Sequence, residues 1–161
     1  MNKYKILKEF ENNMILIQDI LGTSATDNIQ LNKIGKYLFG NLFIGVFPSD
    51  EIPEDAHRAS TVSRLCREPE LKNDQMCIIN TDNKSGVHWI ACYRYRNKTF
   101  VYDSFNRDVK SLSKQWRTMH NWVNANKDRD QSYSSSLCGQ ISICWLISAQ
   151  TYTPPKIINI I

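Results

Sequence analysis

The chain has 161 residues, which is the length of one domain, and 42% of them are hydrophobic, enough to build a buried core. With 22% charged residues and few glycines or prolines, the composition argues against a disordered chain. The net charge of +4 comes from scattered Lys and Arg residues, so nucleic-acid binding is predicted to be weak at most. Because no apolar run approaches the ~20 residues of a membrane helix and no signal peptide is recognisable, we expect an intracellular, reducing environment and no membrane association.

Two helices are predicted to open the chain. Between residues 3 and 21, apolar residues recur at spacings of three and four, and Gly22 ends the pattern. A second helix is predicted to follow a polar connector and to end near Gly40, with its core positions at Ile29, Leu31, Ile34 and Leu38. Residues 42–47 then indicate a short buried strand or extended segment, and residues 54–72 a loop with a short helix.

The middle of the chain predicts a sheet. Three segments rich in β-branched and aromatic residues are expected to form strands: Met76–Asn80, Val87–Arg96 and Thr99–Asp103. A turn at Asn97-Lys98 joins the last two into a hairpin. Residues 108–126 predict a helix with Trp116, Met119 and Val123 in the core. The fold class is therefore α+β, a central mixed sheet flanked by helices, in a single domain spanning residues 1–161.

The five cysteines, at positions 66, 77, 92, 138 and 144, include no Cys-x-x-Cys pair. Neither a disulfide framework nor a metal site is predicted, and no cofactor is indicated. Four of the cysteines have an ordinary interpretation as small buried side chains. Cys138 differs because it lies between a serine-rich loop and an apolar run, which places it on the first turn of a buried helix. The N–H groups and the dipole at a helix N-terminus favour a thiolate.

His88 and Asp103 supply the other two groups that a cysteine nucleophile needs. An imidazole beside a thiol gives a thiolate–imidazolium pair, and a carboxylate orients the imidazole. His88 begins one strand of the predicted hairpin and Asp103 ends the other, so both lie at its open end, where strands are ~4.8 Å apart. Gln131, upstream of the thiol, is a candidate donor to an oxyanion together with the backbone N–H of Cys138.

Several segments of the chain together resemble the adenovirus endopeptidase (adenain) family of cysteine proteases. They are Ile78-Ile-Asn-Thr81, Gly86-Val-His88-Trp89 and the signature Gln131-x6-Cys138-Gly139. The likeness extends to the wider clan that includes the SUMO-specific (Ulp-type) proteases. It covers residues 24–150 and leaves residues 1–22 as an extra N-terminal helix. The resemblance implies a papain-like/adenain-like fold and a cysteine endopeptidase that cuts after glycine, at Gly-Gly or Gly-x-Gly sites.

The resemblance also implies a role for each matching residue. Cys138 would be the nucleophile, His88 the general base, Asp103 its orienting carboxylate and Gln131 the oxyanion donor.

Two neighbours of these residues would contact the site or the substrate. Trp89 would form a wall beside the imidazole, and Gly139 would let the substrate backbone approach.

Two departures from the adenain pattern bear on function. Asp103 stands where adenain has a glutamate, and Asp103-Ser-Phe is closer to the SUMO-protease pattern. Residues 104–137 contain no cysteine, so a peptide activator tethered by a disulfide, as in adenain, is not expected.

The leading hypothesis is a maturation protease of a virus or virus-like element. It would cut capsid and other structural precursor proteins, as a monomer, in the virion and in the cytoplasm or nucleus of the host cell. Two alternatives stay open: a deconjugating protease for a ubiquitin-like modifier, and an inactive protease-fold module that binds DNA or capsid. His57 and His120 lack catalytic neighbours in the sequence, so His57 is interpreted as exposed and His120 as structural.

Overall fold

The structure is a computed structural model that describes residues 2–48, 71–81, 88–108, 122–131 and 135–161. Within these residues it is an α+β fold with a mixed five-stranded sheet. The strands are β1 (Phe43–Pro48), β2 (Met76–Asn80), β3 (Trp89–Tyr95), β4 (Lys98–Tyr102) and β5 (Trp122–Asn124). The helices are α1 (Lys3–Leu21), α2 (Asn28–Phe39), α3 (Cys138–Tyr152) and α4 (Pro154–Ile157), with a 3-10 turn at Gly40–Leu42.

The strands lie in the sheet in chain order, and the predicted mixed sheet is confirmed. β1 pairs parallel with β2, the strands β2, β3 and β4 are antiparallel, and β4 pairs parallel with β5. The hairpin turn lies one residue earlier than predicted, because Lys98 already pairs with Tyr95. Its two residues, Arg96 and Asn97, have φ of 46° and 65°, the conformation that a two-residue hairpin requires.

The helix predicted over residues 108–126 is wrong at its C-terminal end. Trp122–Asn124 is a strand that pairs with β4, and residues 109–121 lie outside the described part of the chain. Trp122 packs against the apolar cluster on one face of the sheet and Val123 against the cluster on the other. This alternation belongs to a strand, and β4 provides the backbone partners that local periodicity cannot reveal.

The two N-terminal helices form as predicted, but one apolar face differs. α1 ends at Leu21 and is capped by Gly22, whose φ is 85°, and α1 packs against α3. α2 begins with a capping box between Asp27 and Gln30. Ile29 and Leu38, predicted as core positions of α2, are 73% and 37% exposed, so that prediction is wrong.

Helix α3 is the buried centre of the domain. Eleven of its residues are buried, among them Cys144 and Trp145, because the helix lies between α1 and the sheet. The indole of Trp145 stacks on the ring of Tyr102 in β4, with 5.2 Å between ring centroids. This packing fixes where the first residue of α3 meets the sheet. In the part of the chain that the structure describes, no helix has the length and apolar character to cross a membrane.

Several predictions concern residues that the structure leaves outside the described ranges. They are the loop with a short helix predicted over 54–72, of which only residues 71 and 72 are described, and Cys66, His57, His120, Trp116 and Met119.

Candidate active site

Cys138 is the first residue of α3 and is only 4% exposed. Its Sγ accepts a hydrogen bond from the backbone N–H of Trp89 at 3.4 Å. This N–H is available because the pairing between β3 and β4 ends at Ala91 and Tyr102. Trp89 lies beyond that last pair and has no partner in β4. The thiol is also hydrogen-bonded to the side chain of His88. The structure therefore brings the end of the sheet and the mouth of α3 together.

His88 and Asp103 meet at the open end of the hairpin. His88 directly precedes β3 and Asp103 directly follows β4. In the β3–β4 ladder, Asp103 comes one residue after the last pair, Ala91–Tyr102, and His88 lies three residues before Ala91. The imidazole Nε2 and the carboxylate Oδ1 are 2.6 Å apart, and the two residues are 5% and 1% exposed. The structure thus places Cys138, His88 and Asp103 in one hydrogen-bonded chain, and their catalytic roles stay predictions.

The ionisation of His88 and Asp103 is coupled. Burial alone would lower the pKa of His88, but the hydrogen bonds to Asp103 and Cys138 outweigh it and raise the pKa above 6.5. Burial alone would raise the pKa of Asp103, but the hydrogen bond and charge of His88, with help from Arg107, hold it below 3.8. Both shifts favour the charged forms, an imidazolium beside a carboxylate.

Asp103 is held by more partners than sequence reasoning predicted. Its Oδ1 also accepts from the backbone N–H of Phe105 at 2.9 Å, and its Oδ2 accepts from Arg107 Nε at 2.7 Å. Its backbone N–H donates to Asn126 Oδ1 at 2.7 Å. The Asp103 carboxylate therefore holds the turn after β4, through the N–H of Phe105, and also contacts His88.

Phe105 forms an aromatic wall beside the imidazole of His88 that was not predicted from the sequence. Its ring stacks on the imidazole of His88, with 4.1 Å between centroids and an interplanar angle of 9°. The indole of Trp89 instead donates its N–H to the carbonyl of Thr26 at 3.0 Å. Phe105 therefore covers one face of the imidazole ring, and a contact between Trp89 and the ring stays a prediction. The aromatic residue two positions after Asp103 was the available signal in the sequence.

Gln131 is buried beside the residues that flank the site. Its Oε1 accepts from Ser104 Oγ at 2.5 Å, and its Nε2 donates to the carbonyl of Ser135 at 2.7 Å. Gln131 is thus anchored between the residue after Asp103 and the loop before Cys138. A side-chain amide carries two N–H donors, and within the described residues only one of them is used, in the bond to Ser135. The oxyanion role of Gln131 stays a prediction.

Gly139 has an intramolecular reason to be glycine. A Cβ at this position would lie 2.0 Å from Thr26 Oγ1 and 3.2 Å from Leu31 Cδ2. The next residue, Gln140, donates from Nε2 to the carbonyls of Gly22 and Ser24 at 2.9 and 2.8 Å. The connector between α1 and α2 therefore packs against the first turn of α3. Approach of a substrate backbone at Gly139 stays a prediction.

No family model, no curated protein and no solved structure matches the chain. Among the described residues, no group of three or more His, Cys, Asp or Glu side chains is placed to hold a metal ion. What the chain does must therefore be argued from the chemistry of its own site.

Proposed function

We propose that the chain is a cysteine endopeptidase with a papain-like/adenain-like fold. The observation that carries this proposal is the buried chain of hydrogen bonds from Cys138 through His88 to Asp103, whose His–Asp link is 2.6 Å long. A thiol, an imidazole and a carboxylate in this order are the parts that nucleophilic catalysis by cysteine requires. The position of the thiol on the first turn of a helix adds further stabilisation of the thiolate.

The tautomer of His88 follows from its partners. Nε2 lies 2.6 Å from Asp103 Oδ1 and must carry a proton to donate to the carboxylate. The thiol then bonds to the other ring nitrogen, Nδ1, which takes the thiol proton. This transfer gives a Cys138 thiolate beside a His88 imidazolium, and Asp103 stabilises the positive charge.

The proposed reaction is acyl transfer in two steps. The thiolate attacks the scissile carbonyl carbon, and the carbonyl oxygen becomes an oxyanion that Gln131 and the Cys138 backbone N–H stabilise. When the tetrahedral intermediate collapses, His88 Nδ1 gives its proton to the departing amine and a thioester remains on Cys138. Water, deprotonated by His88, then attacks the thioester, releases the carboxylic acid and restores the thiol.

The proposed substrates are structural precursor proteins of a virus or virus-like element, cut after glycine. This part of the proposal is supported by the resemblance at Gly86-Val-His88-Trp89 and Gln131-x6-Cys138-Gly139. Asp103-Ser-Phe instead favours the second candidate, a deconjugating protease for a ubiquitin-like modifier, whose substrates also end in glycine.

A library of peptides from a digested proteome tests the endopeptidase proposal without knowledge of the substrate. The library is incubated with the wild-type protein or with Cys138→Ala, and the new N-termini are sequenced by mass spectrometry. We expect new N-termini preceded by glycine in the wild-type sample only. Fusions of ubiquitin-like modifiers, compared with Gly-Gly and Gly-x-Gly peptides, then separate the two candidates. If the wild-type protein, like Cys138→Ala, cleaves none of these substrates, the inactive binding module is favoured.

A further inference from the structure

Arg107 is a charged side chain that has no role in the proposed reaction, yet it is hydrogen-bonded to the carboxylate of the proposed triad. Its Nε donates to Asp103 Oδ2 at 2.7 Å, and its Nη2 donates to Thr81 Oγ1 at 3.1 Å. The guanidinium also lies over the ring of Phe105, 5.6 Å from its centroid. Since Phe105 stacks on the imidazole of His88, Arg107 contacts both the carboxylate and the ring that touch this histidine.

Thr81 closes these contacts into a ring. Its backbone N–H donates to the carbonyl of His88 at 2.9 Å, at the end of the ladder between β2 and β3. One can therefore pass from the His88 imidazole to Asp103, on to Arg107 and Thr81, and back to the His88 backbone. Each link in the ring is a hydrogen bond of 3.1 Å or less. Such a closed ring restricts the rotation of the carboxylate and of the imidazole together.

The charges in the site also balance only when Arg107 is included. In the reactive state the thiolate and Asp103 carry two negative charges, and His88 carries one positive charge. Asp103 is 1% exposed, and an incompletely compensated charge is costly at such burial. The Arg107 side chain is 37% exposed, so it can supply the second positive charge and keep contact with water.

We propose that Arg107 is a positioning residue of this active site, whose guanidinium ties Asp103 to Thr81 and so holds Oδ1 on His88. This inference rests on the proposed function, because it concerns the same triad. Arg107 does not touch the reacting atoms and acts only through Asp103, Phe105 and Thr81.

Arg107→Ala is expected to lower kcat about 10–100-fold with little change in KM, because a misplaced carboxylate leaves the imidazole poorly oriented. The acid limb of the pH profile should also move to higher pH, since the hydrogen bond from Arg107 helps to keep the pKa of Asp103 low. In the described part of the chain, the other ionisable groups near Asp103 are His88, Cys138 beyond it, and Tyr102 with its partner Asp130. All of them are retained in the variant.

Arg107→Lys separates the charge from the geometry. A lysine keeps the positive charge, but it lacks the planar guanidinium whose separate N–H groups reach Asp103 and Thr81. The acid limb should therefore return to its wild-type position, while kcat recovers only in part. Arg96→Ala is the matched control, because Arg96 also lies over an aromatic ring, that of Tyr95, in the hairpin turn.

Two readouts distinguish failure of this inference from failure of the proposed function. The first is the pH dependence of alkylation of Cys138 by iodoacetamide, followed by peptide mass spectrometry, which needs no protein substrate. The second is cleavage of a glycine-containing peptide selected from the library. If wild-type Cys138 alkylates no faster than the thiol of an unstructured peptide near pH 6, the proposed function fails whatever Arg107 does.

If wild-type Cys138 is reactive and Arg107→Ala matches Arg96→Ala in both readouts, the inference about Arg107 is overturned and the triad stands. A lower kcat together with an acid limb at higher pH upholds it. Should Arg107→Ala fail to fold, Arg107→Lys and Thr81→Val decide the question. A lowered kcat in either variant upholds the inference, and wild-type kcat in both overturns it.

Discussion

Two thiols on the same helix show how local partners, rather than burial, decide the chemistry of a cysteine. Cys138 and Cys144 lie six positions apart in α3 and are 4% and 0% exposed. Cys138 meets the N–H of Trp89 and the imidazole of His88. Cys144 lies in the apolar core, where burial raises its pKa to about 12. The two thiols are buried to a similar extent, but Cys138 has polar partners whereas Cys144 resists ionisation.

The helix itself contributes to this difference. The N–H groups of its first turn have no carbonyl one turn earlier to bond, whereas those around Cys144 are used within the helix. An anion is consequently stabilised at the start of α3 and not in its middle. Cys92 in β3 follows the core pattern too, because burial and its contact with Cys77 raise its pKa well above the ordinary value.

The largest expected effect is the difference in alkylation rate between the two thiols. At pH 7 a thiol with a pKa of about 12 is ionised to only about one part in 10⁵, so Cys144 should react very slowly in the folded protein. We expect Cys138 to react with iodoacetamide at least ~10³-fold faster than Cys144. Peptide mass spectrometry of a time course measures both rates in one sample. Similar alkylation rates for Cys138 and Cys144 in the folded protein would contradict the view that their local partners make them chemically different.

Asp103→Asn tests whether Cys138 differs from Cys144 because of the chain of hydrogen bonds or only because of the helix terminus. The variant removes the negative charge beside His88 and should lower kcat/KM on a glycine peptide by about 10²–10⁴-fold. Asp19→Asn, on the exposed face of α1, is the matched control and should behave as wild type. If Asp103→Asn keeps full activity, the carboxylate is not needed to activate the thiol, and the role proposed for Asp103 is lost.

The sequence predicted the parts of the site that strand and helix ends determine. His88 and Asp103 flank two paired strands, and Cys138 opens an apolar helix, so elementary geometry brings the first two together. Their meeting with Cys138 depends on α3 packing against the sheet, and spacing alone could not show it.

What the sequence did not predict depends on contacts between distant segments or on how a turn folds back. Arg107 and Phe105 follow Asp103 closely, but only the turn after β4 directs them onto the carboxylate and the imidazole. The sequence predicts a helix at β5 because the pairing partner of this strand, β4, lies 20 residues earlier in the chain. The close contact between Gly139 and Thr26 is not predictable from the sequence, because Thr26 belongs to a distant connector.

Gly139→Ala should disturb the Cys138 end of α3 and leave Cys144 in place. The new methyl group would meet Thr26 Oγ1 at 2.0 Å, and overpacking of this kind costs about 1–3 kcal/mol of the free energy of unfolding. Adding Thr26→Ala should recover part of this loss, because the clashing hydroxyl is removed. Thr26→Ala alone should be nearly neutral, since the buried hydroxyl has no hydrogen-bond partner among the described residues. Urea unfolding of the wild type, the two single variants and the double variant measures the coupling free energy between the two positions. If the losses in the free energy of unfolding simply add, Thr26 and Gly139 do not interact.

The smallest effect concerns the pH dependence of stability, which should come from the His88–Asp103 pair and not from Cys144. The pKa of His88 is raised, so its stabilising contribution is complete below 6.5 and is lost as pH rises through the folded value. The pKa of Asp103 is lowered, so its contribution is complete above 3.8 and is lost as pH falls through the folded value.

The pair should therefore stabilise the fold most between pH 3.8 and 6.5 and less on either side of this window. The measurement compares the free energy of unfolding of Cys138→Ser with that of Cys138→Ser carrying His88→Gln and Asp103→Asn, from well below pH 3.8 to well above pH 6.5, so that both sides of the window are covered. The Cys138→Ser background keeps a hydrogen-bonding group beside His88 in place of the thiol, so the difference reports the His88–Asp103 pair. Cys144→Ala, added to the same background, should change stability by an amount that does not vary with pH here, because the pKa of Cys144 is about 12. A difference for the pair that is equally flat would mean that His88 and Asp103 are not charged partners in the folded protein, and that Cys138 is distinguished from Cys144 by its place on the helix alone.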